Sequence, residues 1–351
     1  MDKTIETIAG DTEGVAYEFP VYRFKGSSAG ADSAYLQAAL HAGELPGVVA
    51  IDALMPKLRK AEAEGRIRGD ITVVPSANPV GRAQYHFGEL QGRFHMGTRT
   101  NFNREFPLLD TPDAASLKPM RKALADRRLK ERLVTLSMGH DIVLDLHCDD
   151  EGVDYLYVPG ALWPAMADVA SAMGVKAVIL WDGASGASFD EASIHPWLKQ
   201  PADKAKLARR VVTTVEYRGI HDVERAFADA DGEGLYRVLV ARGVIEDTTL
   251  AAPAPYAGLV SPLENTELIA APRGGAVLFD VKPGDRVTKG QRLASIVHSP
   301  GEEDSRIEIL APQAGYVFTR RSHRSVRAGD DLIKLAGDGP SAVAKSGALE
   351  D

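Results

Sequence analysis

The order of elements predicts an α/β protein, in which a mixed, mostly parallel sheet is flanked by helices and followed by a small all-β module. Short apolar segments alternate with segments of helical periodicity up to about residue 250, as in sheets whose strands are joined by helices. Residues 251–258 (AAPAPYAG) form a linker, after which short β-type segments lie between glycine turns. We therefore predict a large domain over 1–255, a β-module over 265–336 and a flexible tail over 337–351.

Apolar periodicity places the elements of the large domain in order. Val49, Leu54 and Leu58 have helical spacing. Predicted strands lie within 16–40 and at 71–75, 142–146, 177–181 and 212–216. Predicted helices cover 47–64, 113–139, 202–212 and 222–243. Between them, residues 79–112 form a long irregular segment rich in Gly, Arg and His, and irregular segments of this length are usually functional.

Composition excludes several classes of protein. Hydrophobic residues are 44% and charged residues 26%, so the chain can bury a core and is not a disordered protein. A net charge of −8 argues against nucleic-acid binding, which needs a basic surface.

Cys148 is the only cysteine, which fits a reducing compartment. Residues 1–15 have no apolar leader segment and the apolar runs are strand-sized, so we expect no membrane association and a cytoplasmic location.

Two histidine motifs predict a metal site. His41 and Glu44 follow one apolar strand and precede a helix, and His147 follows Asp145 near the end of another strand. Sites in open α/β sheets form at the carboxyl ends of strands. Together the three residues make a His₂Glu set, which is typical of catalytic zinc. Each motif alone is weak, because His41–Glu44 also fits a surface turn and His147 a structural histidine.

Two further motifs contain charged residues, and each motif allows two interpretations. The segment 101–107 (NFNREFP) lies near Arg82, Arg93 and Arg99, and it is either a solvated basic loop or an anion-binding segment, since arginine matches carboxylates. Glu216 ends an apolar strand, where an unpaired acid is costly. Glu216 has two possible roles. It forms an ion pair with Arg218 or with a nearby lysine, or it is a general base whose pKa is raised by burial.

Read together, the motifs resemble those of a known family. The order His-x-Gly-Glu (41–44), Asn-Arg (103–104), Asp-Leu-His (145–147) and Val-Glu-x-x-Gly (215–219) is similar to that of the succinylglutamate desuccinylase/aspartoacylase family of zinc carboxypeptidase-like hydrolases. The resemblance covers about residues 30–336, including a β-module that bacterial members often append. It implies a zinc-carboxypeptidase-like fold and hydrolysis of an N-acyl amino acid.

The resemblance also implies roles for individual residues. The ligands of one zinc ion per chain would be His41, Glu44 and His147, and Glu216 would be the general base that activates the attacking water. The substrate carboxylate would be held by Asn103 and Arg104. Polarisation of the scissile carbonyl falls to Arg93, with Arg99 as the alternative. One departure is Asn101, where the family has an Asp that orients a zinc histidine; losing such a charge weakens metal binding by about 10–100-fold.

The β-module contains two similar halves. Its segments 275–285 and 315–330 share Gly-x-Val and Val-x-x-Gly-Asp patterns and resemble the biotinyl/lipoyl-type barrel-sandwich hybrid. A carrier role requires a lysine at the hairpin tip, but residues 290–333 contain none and the tip reads GEEDSR over 301–306. The sequence therefore favours a structural or oligomerisation module that covers one edge of the active site.

Three functions are compatible with these patterns. The first is a zinc amidohydrolase acting on a small N-acyl amino acid. The second is a metallocarboxypeptidase that trims peptides, which would need an open groove. The third is a carbohydrate or acyl-carrier binding protein with a decayed site, and the complete ligand set argues against it. The acids Asp149, Asp150, Glu151 and Asp154 would favour a cationic substrate side chain if they face the cleft; otherwise they form a solvated loop.

Overall fold

A nine-stranded mixed sheet forms the centre of the molecule. The computed structural model describes residues 1–118, 122–184 and 186–342. The strands up to residue 262 are β1 (Asp2–Ala9), β2 (Ala16–Phe24), β3 (Ala34–Ala38), β4 (Ile71–Val74), β5 (Tyr85–His86), β6 (Glu89–Leu90), β7 (Ile142–Asp149), β8 (Glu151–Gly152), β9 (Tyr155–Pro159), β10 (Ala177–Trp181), β11 (Val211–Gly219) and β12 (Leu259–Pro262). The sheet has the order β1-β2-β4-β3-β7-β11-β9-β10-β12.

The central strands β4, β3, β7 and β11 run parallel to one another. Antiparallel pairs are formed by β1 with β2, by β2 with β4, and by β11 with β9. The α-helices are α1 (Pro46–Ala63), α2 (Pro79–Arg82), α3 (Ala125–Ser137), α4 (Ala167–Met173), α5 (Phe189–Leu198), α6 (Ala202–Ala205) and α7 (Arg225–Ala241). Helices α1, α4 and α7 pack together, as do α3 and α5. Both faces of β3 and β7 are consequently buried, as parallel strands require.

The structure contains several helices and strands that the sequence analysis did not predict. Residues 2–9 form an edge strand, and β9, α4 and α5 lie in segments for which no element was predicted. The predicted helix over 202–212 is instead two single turns, α6 and a 3₁₀ turn at Leu207–Arg209, followed directly by β11. The main sheet also continues past residue 255, since β12 pairs with β10. Within the described part of the chain, none of the helices is both long and apolar enough to cross a bilayer.

The C-terminal part is a pair of antiparallel sheets with a core of its own. Its strands are β13 (Thr266–Ala270), β14 (Gly275–Phe279), β15 (Arg286–Val287), β16 (Arg292–Val297), β17 (Arg306–Leu310), β18 (Gly315–Arg320), β19 (Ser325–Val326) and β20 (Asp331–Gly337). The two halves contain the same type of turn, in which an aspartate side chain accepts a hydrogen bond from the backbone N–H three residues earlier. Asp285 accepts from Lys282 and Asp330 accepts from Arg327, both at 2.9 Å.

The β-module packs directly onto the main sheet. Strand β18 pairs with β8, and Phe318 and Ala336 share a buried cluster with Tyr155 and Ile179. Within the predicted tail, residues 338–341 are hydrogen-bonded, for example Ser341 N–H to the Glu264 carbonyl at 2.8 Å. The rest of that tail, 343–351, lies outside the described residues.

Candidate active site

Four of the residues singled out by the motifs meet at the carboxyl edge of the parallel strands. His41 follows β3, His147 lies near the end of β7, and Glu216 lies near the end of β11. Glu216 is the register partner of His147, so their side chains project side by side from neighbouring strands. The chain reverses between β3 and α1, which brings Glu44 to the same point.

The turn after β3 is fixed by close packing. Ala39 has a left-handed φ of 55°, a conformation that non-glycine residues adopt mainly where the surroundings enforce it. The Glu44 N–H donates to the His41 carbonyl at 3.0 Å, and α1 then begins at Pro46, a position that suits proline. A side chain at Gly47 would lie 2.7 Å from the Leu146 Cβ, so glycine allows the helix to approach β7.

Glu44 lies between the two histidines. Its Oε1 is 2.8 Å from Nδ1 of His41, and its Oε2 is 2.8 Å from Nδ1 of His147. The imidazole rings are 4.9 Å apart and nearly perpendicular, and one potential ligand atom from each of the three residues lies within 4.8 Å of the other two. All three residues are buried. They are therefore a compact set of donors that could hold one metal ion.

The outer nitrogen of each ring has its own acceptor. Nε2 of His147 is 2.9 Å from Asp145 Oδ2, and Nε2 of His41 is 2.8 Å from Asn101 Oδ1. An Nε2–H donating outward leaves Nδ1 as the lone-pair nitrogen that faces Glu44, as metal-binding imidazoles require. Asn101 thus occupies the position where the resemblance expects an aspartate, and it supplies the hydrogen bond without the charge.

The electrostatic environment of Glu44 and the two histidines favours the binding of a positive ion. Burial alone would raise the pKa of Glu44, but the two imidazoles hold it well below its usual range. Burial opposes protonation of His147, yet Asp145 and Glu44 raise the pKa of this ring well above normal, whereas burial lowers that of His41. A buried His₂Glu set is a donor set that zinc accepts, so the residues present fit this metal.

The segment 79–112 contributes the cationic side of the site. Arg93 lines the cavity, with Nη1 3.4 Å from Glu44 Oε1. Arg99 is exposed, with a left-handed φ of 62°, and is absent from the described lining of the cavity. The structure therefore brings Arg93, not Arg99, to the His41–Glu44–His147 cluster.

Asn103 and Arg104 line the cavity beside these groups. Oδ1 of Asn103 accepts the Phe189 N–H at 2.8 Å, so its NH₂ group is the part that can donate to a ligand. The Arg104 guanidinium donates to the Asn103 carbonyl at 2.7 Å. The two donors are thereby held next to each other, at the start of α5.

Glu216 does not form an ion pair with Arg218. Arg218 instead pairs with Asp154 at 2.5 Å and with Asp231. Glu216 Oε2 is buried and has no hydrogen-bond partner within the described chain. Burial raises the pKa of Glu216 well above its usual value, and the attraction of His147 opposes that rise. This arrangement suits a proton acceptor better than a structural carboxylate.

The acidic run after His147 connects the two parts of the molecule. Asp149 pairs with Lys334 at 2.5 Å, Asp150 accepts from the Ser322 hydroxyl at 3.0 Å, and Glu151 pairs with Arg320 at 2.6 Å. Asp149 and Asp150 do line the cavity, but both already bind groups of the β-module. Asp154 pairs with Arg218, so the run is not a solvated loop, and each of the four acids has a partner within the protein.

The site opens into a cavity of about 740 Å³. One wall is the β-module, which contributes side chains from β18 to β20, including Thr319, Arg321, Leu332 and Lys334. The floor contains five residues not singled out from the sequence, Tyr157, Trp181, Ser188, Asp190 and Thr214. No pattern marked them, because they come from four separated segments that only the fold assembles.

Comparisons with known proteins identify relatives of the chain. A model of the succinylglutamate desuccinylase/aspartoacylase catalytic domain matches residues 31–231. The chain is 25% identical over 315 residues to N-alpha-acetyl-L-2,4-diaminobutyric acid deacetylase of Halomonas elongata, covering 87% of this chain and 82% of that protein.

Solved structures extend the similarity to nearly the whole chain. A succinylglutamate desuccinylase/aspartoacylase family protein of Shewanella amazonensis is 27% identical with a TM-score of 0.82, covering 96% of this chain and 99% of that one. A related protein of Shewanella frigidimarina is 25% identical with a TM-score of 0.82, covering 96% and 97%. The mixed α/β fold is confirmed; the barrel-sandwich form of the β-module stays a prediction.

Proposed function

The chain belongs to the succinylglutamate desuccinylase/aspartoacylase family, and from this premise we propose that it is a zinc-dependent amidohydrolase that cleaves the amide bond of a small N-acyl amino acid. The observation that carries the proposal is the convergence of His41, Glu44 and His147 next to the buried, unpartnered oxygen of Glu216. A metal donor set and a carboxylate with a raised pKa are the two components that water-dependent amide hydrolysis needs.

Each remaining group has a place in the reaction. Nδ1 of both histidines and Glu44 would hold zinc, which when bound supplies a Lewis acid that polarises a carbonyl and acidifies water. Glu216 takes a proton from the attacking water and returns it to the leaving nitrogen. Arg93 donates to the carbonyl oxygen as negative charge develops there.

The substrate carboxylate is assigned to Asn103 and Arg104. The side-chain NH₂ of Asn103 and the planar guanidinium of Arg104 are adjacent donors in the cavity, and such donors fix a carboxylate in one orientation. Orientation is a large part of catalysis, because it places the scissile bond within reach of the base.

Cavity shape favours a small substrate over a peptide. The β-module closes one side of a cavity of about 740 Å³, a volume typical of small-molecule sites. The Halomonas elongata relative is named as a deacetylase of an N-acetylated amino acid, which supports the same substrate class. A peptidase would need a groove open on that side.

Metal analysis combined with a substrate screen tests the proposal. The wild type should bind one zinc per chain, and His41→Ala and His147→Ala should lose that zinc while keeping their circular dichroism spectrum, because the metal joins a folded sheet. The control His298→Ala, in the β-module, should keep it. Stoichiometric zinc in either ligand variant would contradict the ligand set, and trimming of peptides without hydrolysis of any N-acyl amino acid would contradict the substrate class.

A further inference from the structure

A buried carboxylate on the floor of the cavity is not used by the proposed reaction. Asp190 is the second residue of α5 and is 5% exposed. Its hydrogen-bond donors are the Ser188 hydroxyl, the Glu191 N–H at 2.9 Å and the Thr214 side chain. All three donors are neutral, and no lysine or arginine of the described chain forms an ion pair with Asp190. Burial accordingly raises the pKa of this carboxyl.

Asp190 adjoins both the proton-transfer group and the carboxylate-binding pair. Thr214, its hydrogen-bond partner, precedes Glu216 by two residues on β11, so both side chains project to the same face of the sheet. On the other side, the neighbouring Phe189 N–H donates to Asn103. A substrate carboxylate held at Asn103 therefore places the side chain of the amino-acid half near Asp190.

Two aromatic rings line the same floor. Tyr157 is the register partner of Thr214, and Trp181 ends the adjacent strand β10; both line the cavity. Aromatic rings beside a carboxylate are a favourable environment for an ammonium group. An anionic side chain would instead meet an unneutralised carboxylate in a poorly solvated place, which is costly.

We propose that Asp190 determines specificity by pairing with a cationic side chain on the amino-acid half of the substrate. The inference rests on the proposed function and narrows its substrate class to N-acyl diamino acids. It also relocates the cation preference that the sequence suggested for residues 149–154, since Asp149 and Asp150 are engaged by the β-module.

Three substrates of similar length provide the test. N-acetyl-L-2,4-diaminobutyrate, N-acetyl-L-norvaline and N-acetyl-L-glutamate carry a cationic, a neutral and an anionic end. The wild type should have its highest kcat/KM for the cationic substrate and its lowest for the anionic one. Asp190→Asn keeps the shape and loses the charge, so kcat/KM for the cationic substrate should fall by about 30-fold or more, while that for norvaline stays within about three-fold.

Glu191→Gln is the matched control, because Glu191 lies in the same helical turn but does not line the cavity; it should leave the charge preference unchanged. Equal losses for all three substrates in Asp190→Asn, or a wild type indifferent to charge, would overturn the inference.

Binding of the free amino acids, measured by calorimetry, tests the inference without turnover. The free amino acid 2,4-diaminobutyrate should bind more tightly than norvaline, and Asp190→Asn should remove the difference. If no N-acyl substrate is hydrolysed, the proposed function fails, while calorimetry still decides on Asp190.

Discussion

Replacing Glu216 by glutamine separates a catalytic base from a structural acid. Glutamine has nearly the same shape but cannot accept and return a proton, and no described ion pair is lost because Arg218 pairs with Asp154 and Asp231. We expect zinc content to be unchanged and kcat to fall by about 10²–10⁴-fold, equivalent to about 3–5 kcal/mol in the barrier.

The stability of the metal-free protein should respond with a defined sign. Because burial raises the folded-state pKa of Glu216, the stability it contributes is fully present below its unfolded pKa and is lost as pH rises through the folded pKa. Glu216→Gln should therefore leave the Tm nearly unchanged at about pH 4 and raise it at about pH 8.

Glu6 offers a control with the opposite sign. Hydrogen bonding to Arg132 lowers the pKa of Glu6, although partial burial opposes this, and Arg23 adds to the lowering. Its contribution is present above the unfolded pKa and is lost as pH falls through the folded pKa. Glu6→Gln should thus lower the Tm at about pH 8 and leave turnover per folded molecule intact.

The decisive assay is steady-state hydrolysis by zinc-loaded enzyme across a range of pH. In the wild type, the low-pH limb of kcat/KM should report deprotonation of Glu216, and this limb should be absent from any residual activity of Glu216→Gln. A near-normal kcat in the zinc-loaded variant, or a Tm that falls at about pH 8, would refute the assignment of Glu216 as the base.

Two further substitutions test the loop that faces the His41–Glu44–His147 cluster. Arg104→Lys keeps the charge but loses the planar fork, so KM should rise at least several-fold, whereas Arg99→Lys, at an exposed position, should change nothing; equal effects would contradict the role of Arg104. Asn101→Asp should tighten zinc binding by about 10–100-fold in chelator competition, because it adds a charge to the acceptor of His41; unchanged or weaker binding would show that the hydrogen bond alone sets the affinity.

Local patterns were sufficient to predict the centre of the fold. The buried strands β3, β7 and β11 are mostly apolar, and each is followed by, or contains near its end, a polar residue of the site. Sites form at the carboxyl ends of parallel strands, so the residues alone group His41 with His147, and the family resemblance adds Glu216. The strand order and register that bring the three side chains together are seen only in the structure.

The remaining features depend on contacts that no local pattern contains. Strand β1 is mostly exposed and pairs only with β2, so its sequence has no apolar run to indicate it. The sequence left the acids after His147 open between a solvated loop and a cation-binding patch, because Lys334, which pairs with Asp149, lies 185 residues further along the chain. Asp190 had no signal for the same reason, since its neighbours on the floor come from other strands.

The two histidines of the proposed zinc site are held by different parts of the molecule. The acceptor of His147 is Asp145, which lies on the same strand and is fixed by a hydrogen bond from Gln37 on β3 at 2.9 Å. The acceptor of His41 is Asn101, whose Oδ1 also accepts the Asn103 N–H at 2.8 Å. One oxygen thus orients a proposed metal ligand and a residue of the proposed carboxylate site. The sheet therefore holds one histidine of the proposed metal site, while the other histidine shares its support with the proposed carboxylate site.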